Sequence, residues 1–127
     1  MPGPNRRWRL LTSFGFAARG VAALFRTQAN ARIHLAAAVL TTAAGFFFHI
    51  TRLEWCAVVA AIGLVLTAEG LNTAIENVVD LASPELHPLA GRAKDIAAGA
   101  VLIAAIASAI IGALVFGPYF LALLRQS

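Results

Sequence analysis

The run Ile96-Ala-Ala-Gly-Ala-Val-Leu-Ile-Ala-Ala-Ile-Ala-Ser-Ala-Ile-Ile-Gly-Ala-Leu-Val-Phe-Gly117 carries no charged side chain over 22 residues. As an α-helix it extends about 33 Å, enough to cross a hydrocarbon core about 30 Å thick. A second stretch without Asp, Glu, Lys or Arg runs from Ile33 to Thr51. A third, Trp55 to Leu81, is apolar as far as Ala68 and then carries Glu69, Glu76 and Asp80. The chain has 127 residues, 60% hydrophobic and 13% charged, a composition that excludes an ordinary soluble domain. The expected fold class is all-α and integral to a membrane: one domain over 1–127, with transmembrane helices at 33–51, 55–81 and 96–117.

The distribution of the net charge of +4 sets the expected topology. Arg6, Arg7, Arg9, Arg19, Arg26 and Arg32 all precede the first span, and Arg92 and Lys94 lie between the second and third. Only Arg52 and Arg125 fall on the other side. By the positive-inside rule the N-terminus and the 82–95 loop face the cytoplasm of a bacterial inner membrane, and the C-terminus faces out. A basic face beside an anionic leaflet has no need of a nucleic-acid partner.

Before the first span, residues 5–30 place Trp8, Leu11, Phe14, Ala18, Val21 and Phe25 at steps of three or four. That spacing predicts an amphipathic helix lying in the interface. A basic tail that only fixes orientation would show the same arginines. The link Thr51-Arg52-Leu53-Glu54 is short enough to force spans one and two into an antiparallel hairpin, and Pro84 and Pro88 punctuate the next loop. In span three, Ala100, Ala104, Ser108 and Gly112 recur every fourth residue, which permits close helix approach within one chain or between chains. The lone Cys56 has no second thiol for a disulfide.

The anomaly is Glu69-Gly-Leu-Asn72-Thr-Ala-Ile-Glu76-Asn-Val-Val-Asp80. On a helix the four polar groups at 69, 72, 76 and 80 fall within about 80° of one another and form a stripe. Carboxylates at membrane depth are costly and mark function. If the outer boundary lies near Trp55, Glu69 is about 21 Å in and Glu76 reaches the cytoplasmic edge. The stripe thus joins the depth of a lipid head to that of a water-soluble partner. Lys94 offers a charge for phosphate, and Asp95, pointing about 100° away, serves a different partner. His34, His49 and His87 are too scattered for a metal site and read as interfacial anchors, with His87 close to Glu85 and Lys94. Gly15-Phe-Ala-Ala-Arg-Gly20 lacks the Lys and Ser/Thr of a P-loop.

The same stripe, followed by His87-Pro-Leu-Ala-Gly-Arg-Ala-Lys-Asp95 and preceded by Phe25-Arg-Thr-Gln-Ala-Asn-Ala-Arg-Ile-His34, resembles the prokaryotic diacylglycerol kinase family. The resemblance covers nearly the whole chain. It implies a small homotrimeric membrane enzyme with a surface helix and three spans per protomer, active sites shared between protomers, and transfer of the γ-phosphate of ATP to a lipid alcohol. It further implies Glu69 as general base and Glu76 as ligand of a Mg²⁺ ion that bridges the ATP phosphates. Asn72 and Asp80 would support the site, with Arg9, Phe16, Gln28, Glu85, His87, Lys94 and Asp95 at positions that line the nucleotide.

Two positions depart from the family pattern. Gln28 stands where the family usually has a glutamate that is a second metal ligand, and Phe16 where the enterobacterial branch has a tyrosine. An amide oxygen can coordinate Mg²⁺ but brings no charge. Asn30-Ala-Arg-Ile-His34 and His87-Pro-Leu-Ala look more like the Gram-positive branch, whose members phosphorylate undecaprenol, than the diacylglycerol branch. The alternative from composition alone is a subunit of a proton- or cation-coupled transporter. Such a path needs polar groups towards the outer side, and residues 55–68 offer only Thr67.

Overall fold

A computed structural model describes Gly3 and residues 5–127. They form four helices and, among the described residues, no strand: α1 (Arg6–Thr27), α2 (Ala29–Phe48), α3 (Arg52–Ala82) and α4 (Pro88–Arg125). Helices α2, α3 and α4 are each long and apolar enough to cross a membrane. The all-α membrane architecture expected from the apolar runs is therefore present. With 31 and 38 residues, α3 and α4 extend about 46 and 57 Å, well beyond a hydrocarbon core of about 30 Å.

Between α1 and α2 the chain breaks for one residue, Gln28, whose backbone is extended (φ −112°, ψ 113°). The last carbonyls of α1 lose their helical partners at this elbow. Arg32 supplies them, Nη1 donating to Phe25 O at 3.1 Å and to Arg26 O at 3.0 Å. An arginine read from sequence only as a topological charge is also a helix cap. No α1 residue is buried, and Trp8, Leu11, Phe14 and Phe16 present their rings and chains outward, which suits a helix lying in an interface. Its C-terminal half lies on α3, with Leu24 Cδ2 3.7 Å from where a Cβ at Gly70 would be.

The α2–α3 turn is built from three local devices. His49 adopts the left-handed conformation (φ 53°, ψ 52°). Its N–H donates to Phe46 O and that of Ile50 to Gly45 O, the paired bonds of a Schellman ending. Thr51 and Glu54 then close a capping box, Thr51 N–H to Glu54 Oε2 at 2.8 Å and Glu54 N–H to Thr51 Oγ1 at 3.2 Å. Tyr119 O–H donates to the same Glu54 oxygen at 2.7 Å and so ties the far end of α4 to the start of α3.

Around this turn sits the buried cluster of Ile50, Val58, Val115 and Phe116, with Phe48 stacked near Phe116, Tyr119 and Phe120. Lipid tails are as apolar as these side chains, so close packing rather than water exclusion holds the helices here. Gly45 is the tightest point: a Cβ there would lie 2.6 Å from Trp55 Cη2 and 3.1 Å from Ile50 Cδ1. Trp55 cannot swing freely, because its ring packs on Phe46 at 4.9 Å between centroids. Gly45→Ala is expected to destabilise the fold by about 1–3 kcal/mol through overpacking, read as a lower unfolding midpoint in detergent.

The small-residue stripe of α4 is used inside the chain. Ala104 is buried against α3, and Ser108 Oγ donates to Ala61 O at 3.1 Å across the α3–α4 contact. Gly112 is not a close-approach point, since a Cβ there would meet nothing within 4 Å. The helix also runs past Gly117, where the sequence ends the span, through Pro118 to Arg125. Proline frees the carbonyl four residues back, at Leu114, and the rest of the helix hydrogen bonding continues.

Candidate active site

The polar stripe of α3 grades from buried to exposed along its length. Glu69 is 3% exposed, Asn72 and Glu76 are half-buried, and the Asp80 side chain is 65% exposed. The gradient follows from the fold. Near Glu69 the helix is flanked by α1 and α2, whereas near Asp80 it has outrun both.

Glu69 is met from α2. His34 Nε2 lies 3.2 Å from Glu69 Oε1, with the carboxylate side chain 4% exposed. One turn on, Thr73 Oγ1 donates to the Glu69 carbonyl at 2.9 Å and so leaves the carboxylate itself free of local capture. Asn72 Nδ2 donates to Glu76 Oε1 at 3.2 Å, which orients both side chains along the stripe. Asn72 Oδ1 is buried without a hydrogen-bond partner among the described residues. An orphaned acceptor of this kind costs about 1–3 kcal/mol unless a donor or a cation reaches it.

At the α3–α4 turn the structure gathers a second group. Lys94 Nζ pairs with Asp80 Oδ1 at 2.5 Å across the two helices. His87 caps α4, its Nδ1 accepting from Leu89 N–H at 3.1 Å with Pro88 in the first turn, and Ser83 Oγ donates to Glu85 O at 2.9 Å. Asp80, Glu85, His87 and Lys94 thereby line one cleft of about 520 Å³. Four of the residues singled out in the sequence are brought together by a single turn.

The other candidates are placed elsewhere. Arg9 shares a shallow groove only with Trp8, Thr12 and Ser13 of its own helix. Phe16 lies under the Arg19 guanidinium, 5.3 Å from the ring centroid. Asp95 is exposed and is not on the wall of the cleft. Gln28 sits at the elbow, which runs alongside the 73–77 stretch of α3, since Thr27 shares a groove with Thr73 and Asn77. No group of three His, Cys, Asp or Glu side chains gathers among the described residues.

Sequence reading missed His34 as the partner of Glu69. The available signal was the hairpin itself. Gly45 meets Trp55, five residues either side of Ile50. Counting on, His34 lies 16 residues before Ile50 and Leu66 lies 16 after it, one turn short of Glu69. Depth measured separately on each span hides this pairing, because the helices need not start at the same level.

The family model for prokaryotic diacylglycerol kinase matches residues 15–116, a range that holds the stripe, the elbow and the cleft. The chain belongs to the prokaryotic diacylglycerol kinase family. It is 44% identical over 114 residues to an undecaprenol kinase of Bacillus subtilis (strain 168), covering 90% of this chain and 93% of that protein. It is 43% identical over 116 residues to a diacylglycerol kinase of Synechocystis sp. (strain ATCC 27184 / PCC 6803 / Kazusa), covering 91% of this chain and 66% of that protein. To a diacylglycerol kinase of Escherichia coli (strain K12) it is 31% identical over 112 residues, covering 88% and 92%.

Proposed function

We propose that this chain is an ATP-dependent lipid kinase, one domain over 1–127, whose lipid substrate is undecaprenol. The observation that carries the reading is the graded stripe: a buried carboxylate at Glu69 leads in two helical turns to Glu76, and one turn further to the Asp80–Lys94 pair beside an open cleft. Membership of the family and the undecaprenol kinase of Bacillus subtilis among its relatives support the reaction class and the substrate. The transporter reading lacks a polar path beyond Glu69: Val58, Ala61 and Val65 are the buried residues of α3 on that side.

Glu69 accepts the proton of the lipid hydroxyl as its oxygen attacks the γ-phosphorus. The new O–P bond forms, the bond to the β,γ-bridging oxygen breaks, and ADP leaves. Phosphoryl transfer depends on positioning and charge neutralisation far more than on covalent chemistry. Lys94, already held at the cleft by Asp80, neutralises phosphate charge, while Glu85 and the free edge of His87 bound the nucleotide.

The residues present fit Mg²⁺. Glu76 offers a carboxylate, and Asn72, which donates to it through Nδ2, has an unsatisfied amide oxygen; Gln28, at the elbow between α1 and α2, would be a further oxygen ligand. Mg²⁺ is commonly held by one or two carboxylates with phosphate and water completing its shell. When bound it supplies positive charge to the transferring phosphoryl group. Gln28 brings no charge, so Gln28→Glu is expected to lower the Mg²⁺ concentration needed for half-maximal rate, measured in a Mg²⁺ titration. An unchanged titration shows that Gln28 is no limiting ligand.

We place the N-terminus and the 82–95 loop in the cytoplasm, with the C-terminus outside, on the arginine distribution. We also propose a homotrimer with sites completed by neighbouring protomers. Arg9 and Phe16 lie apart from the cleft within one chain, which supports a site assembled between chains. The decisive experiment supplies purified protein with labelled ATP and, separately, undecaprenol and diacylglycerol. Label in undecaprenol phosphate is expected. Label in diacylglycerol alone overturns the substrate, and label in neither overturns the kinase reading.

A further inference from the structure

The kinase reading assigns no role to His34, yet His34 is the side chain that reaches Glu69. It stands on α2, opposite the carboxylate on α3, with Nε2 3.2 Å from Oε1, inside the range of a hydrogen bond to a catalytic base. Its own side chain is 26% exposed, against 4% for Glu69. It also forms part of the wall of an apolar cavity of about 310 Å³ between α2, α3 and α4, which continues through Ala61 and Ala105 to Phe116. On that wall His34 is the one ionisable side chain, and Glu69 is not part of the wall. The imidazole thus stands between the carboxylate and the apolar space.

A carboxylate out of water is costly unless a polar partner meets it. A neutral imidazole has one N–H and can engage one carboxylate oxygen without neutralising the group. Lysine or arginine in the same place would set a full charge against the base and hold it ionised at the expense of its basicity.

We propose that His34 is a positioning residue for the general base: its Nε2–H holds Glu69 Oε1 and leaves Oε2 for the lipid hydroxyl. The inference rests on the reading of Glu69 as base. It predicts an effect on turnover rather than on binding, because His34 orients the base and does not lie on the nucleotide cleft.

The test measures kcat and KM for ATP and lipid in mixed micelles for the parent, His34→Ala, His34→Gln, Glu69→Gln and the double variant His34→Ala/Glu69→Gln. His34→Ala is expected to lower kcat by about 10–10²-fold, the scale set by a base displaced by about 1 Å, with both KM values unchanged. His34→Gln keeps an N–H donor and restores most of that loss. In the Glu69→Gln background His34→Ala costs nothing further, the non-additivity of two residues acting through one another. If His34→Ala fails to elute from detergent as folded protein, His34→Leu, which fills the space without the donor, is read the same way.

Parent-like turnover in His34→Ala, a change confined to KM, or full additivity in the double variant overturns the inference while leaving the kinase reading intact. A parent that labels no lipid overturns the kinase reading and the inference with it. A Glu69→Gln variant as fast as the parent removes the base and the inference together.

Discussion

Glu69→Gln is expected to lower the rate of lipid phosphorylation by about 10²–10⁴-fold, the contribution of a positioned general base. The substitution keeps the volume of the side chain and an oxygen within reach of His34, so the helix pair survives. What it removes is the capacity to take a proton. The loss should fall on kcat, with KM for ATP little changed, because Glu69 is buried among α2 and α3 and lies outside the cleft beside the α3–α4 turn. Single-turnover measurements with labelled ATP, with the variant shown to elute from detergent like the parent, provide the check. Retained turnover would mean that another group accepts the hydroxyl proton.

Glu76→Gln is expected to lower kcat by about 10²–10³-fold, the scale of losing one stabilising contact to transition-state charge, here through a weakened hold on the metal that would supply it. Unlike the first substitution, it should also raise the Mg²⁺ concentration required. Glu76 already accepts from Asn72 Nδ2 at 3.2 Å, and a glutamine can keep that bond through its own oxygen. The structural link along the stripe is thereby preserved, and the change isolates the loss of negative charge. A Mg²⁺ titration of initial rates separates the two effects. A parent-like Mg²⁺ dependence with low kcat would place Glu76 away from the metal, with Asn72 Oδ1 left to explain in another way.

The two predictions differ because the stripe has two ends. Near Glu69 the helix is enclosed, and the proposed reacting group is a lipid hydroxyl. Towards Asp80 it emerges, and the proposed partner is a phosphate. The gradient in burial follows the sequence expectation, since a helix of known rise places residues 69 and 76 about 10 Å apart along its axis. The Asp80–Lys94 pair was not legible in the sequence, although both residues stood out as polar. It depends on how the turn through Ser83 to His87 sets the register of α4 against α3, and short-range patterns do not encode that register.

Other features show the same boundary. Pro84 and Pro88 announced the turn between α3 and α4, but only packing shows that Gly45 is the glycine that matters, with Trp55 where its Cβ would be. The Ala104 and Ser108 stripe was visible as a close-approach motif, and the structure commits it to α3 of the same chain. Arg32 was visible as a charge, and the structure makes it the cap of α1.

By itself the sequence determined the membrane-embedded helices, their order, the acidic stripe and the family, because apolar length and helical periodicity are local properties of a chain in lipid. Only the tertiary structure decided which side chains meet: His34 with Glu69, Lys94 with Asp80, Tyr119 with Glu54. Each contact joins residues on different helices, and its geometry depends on the relative rotation and shift of two cylinders. Those quantities are set by the sum of many weak packing contacts along the whole interface, so no single residue spells them out.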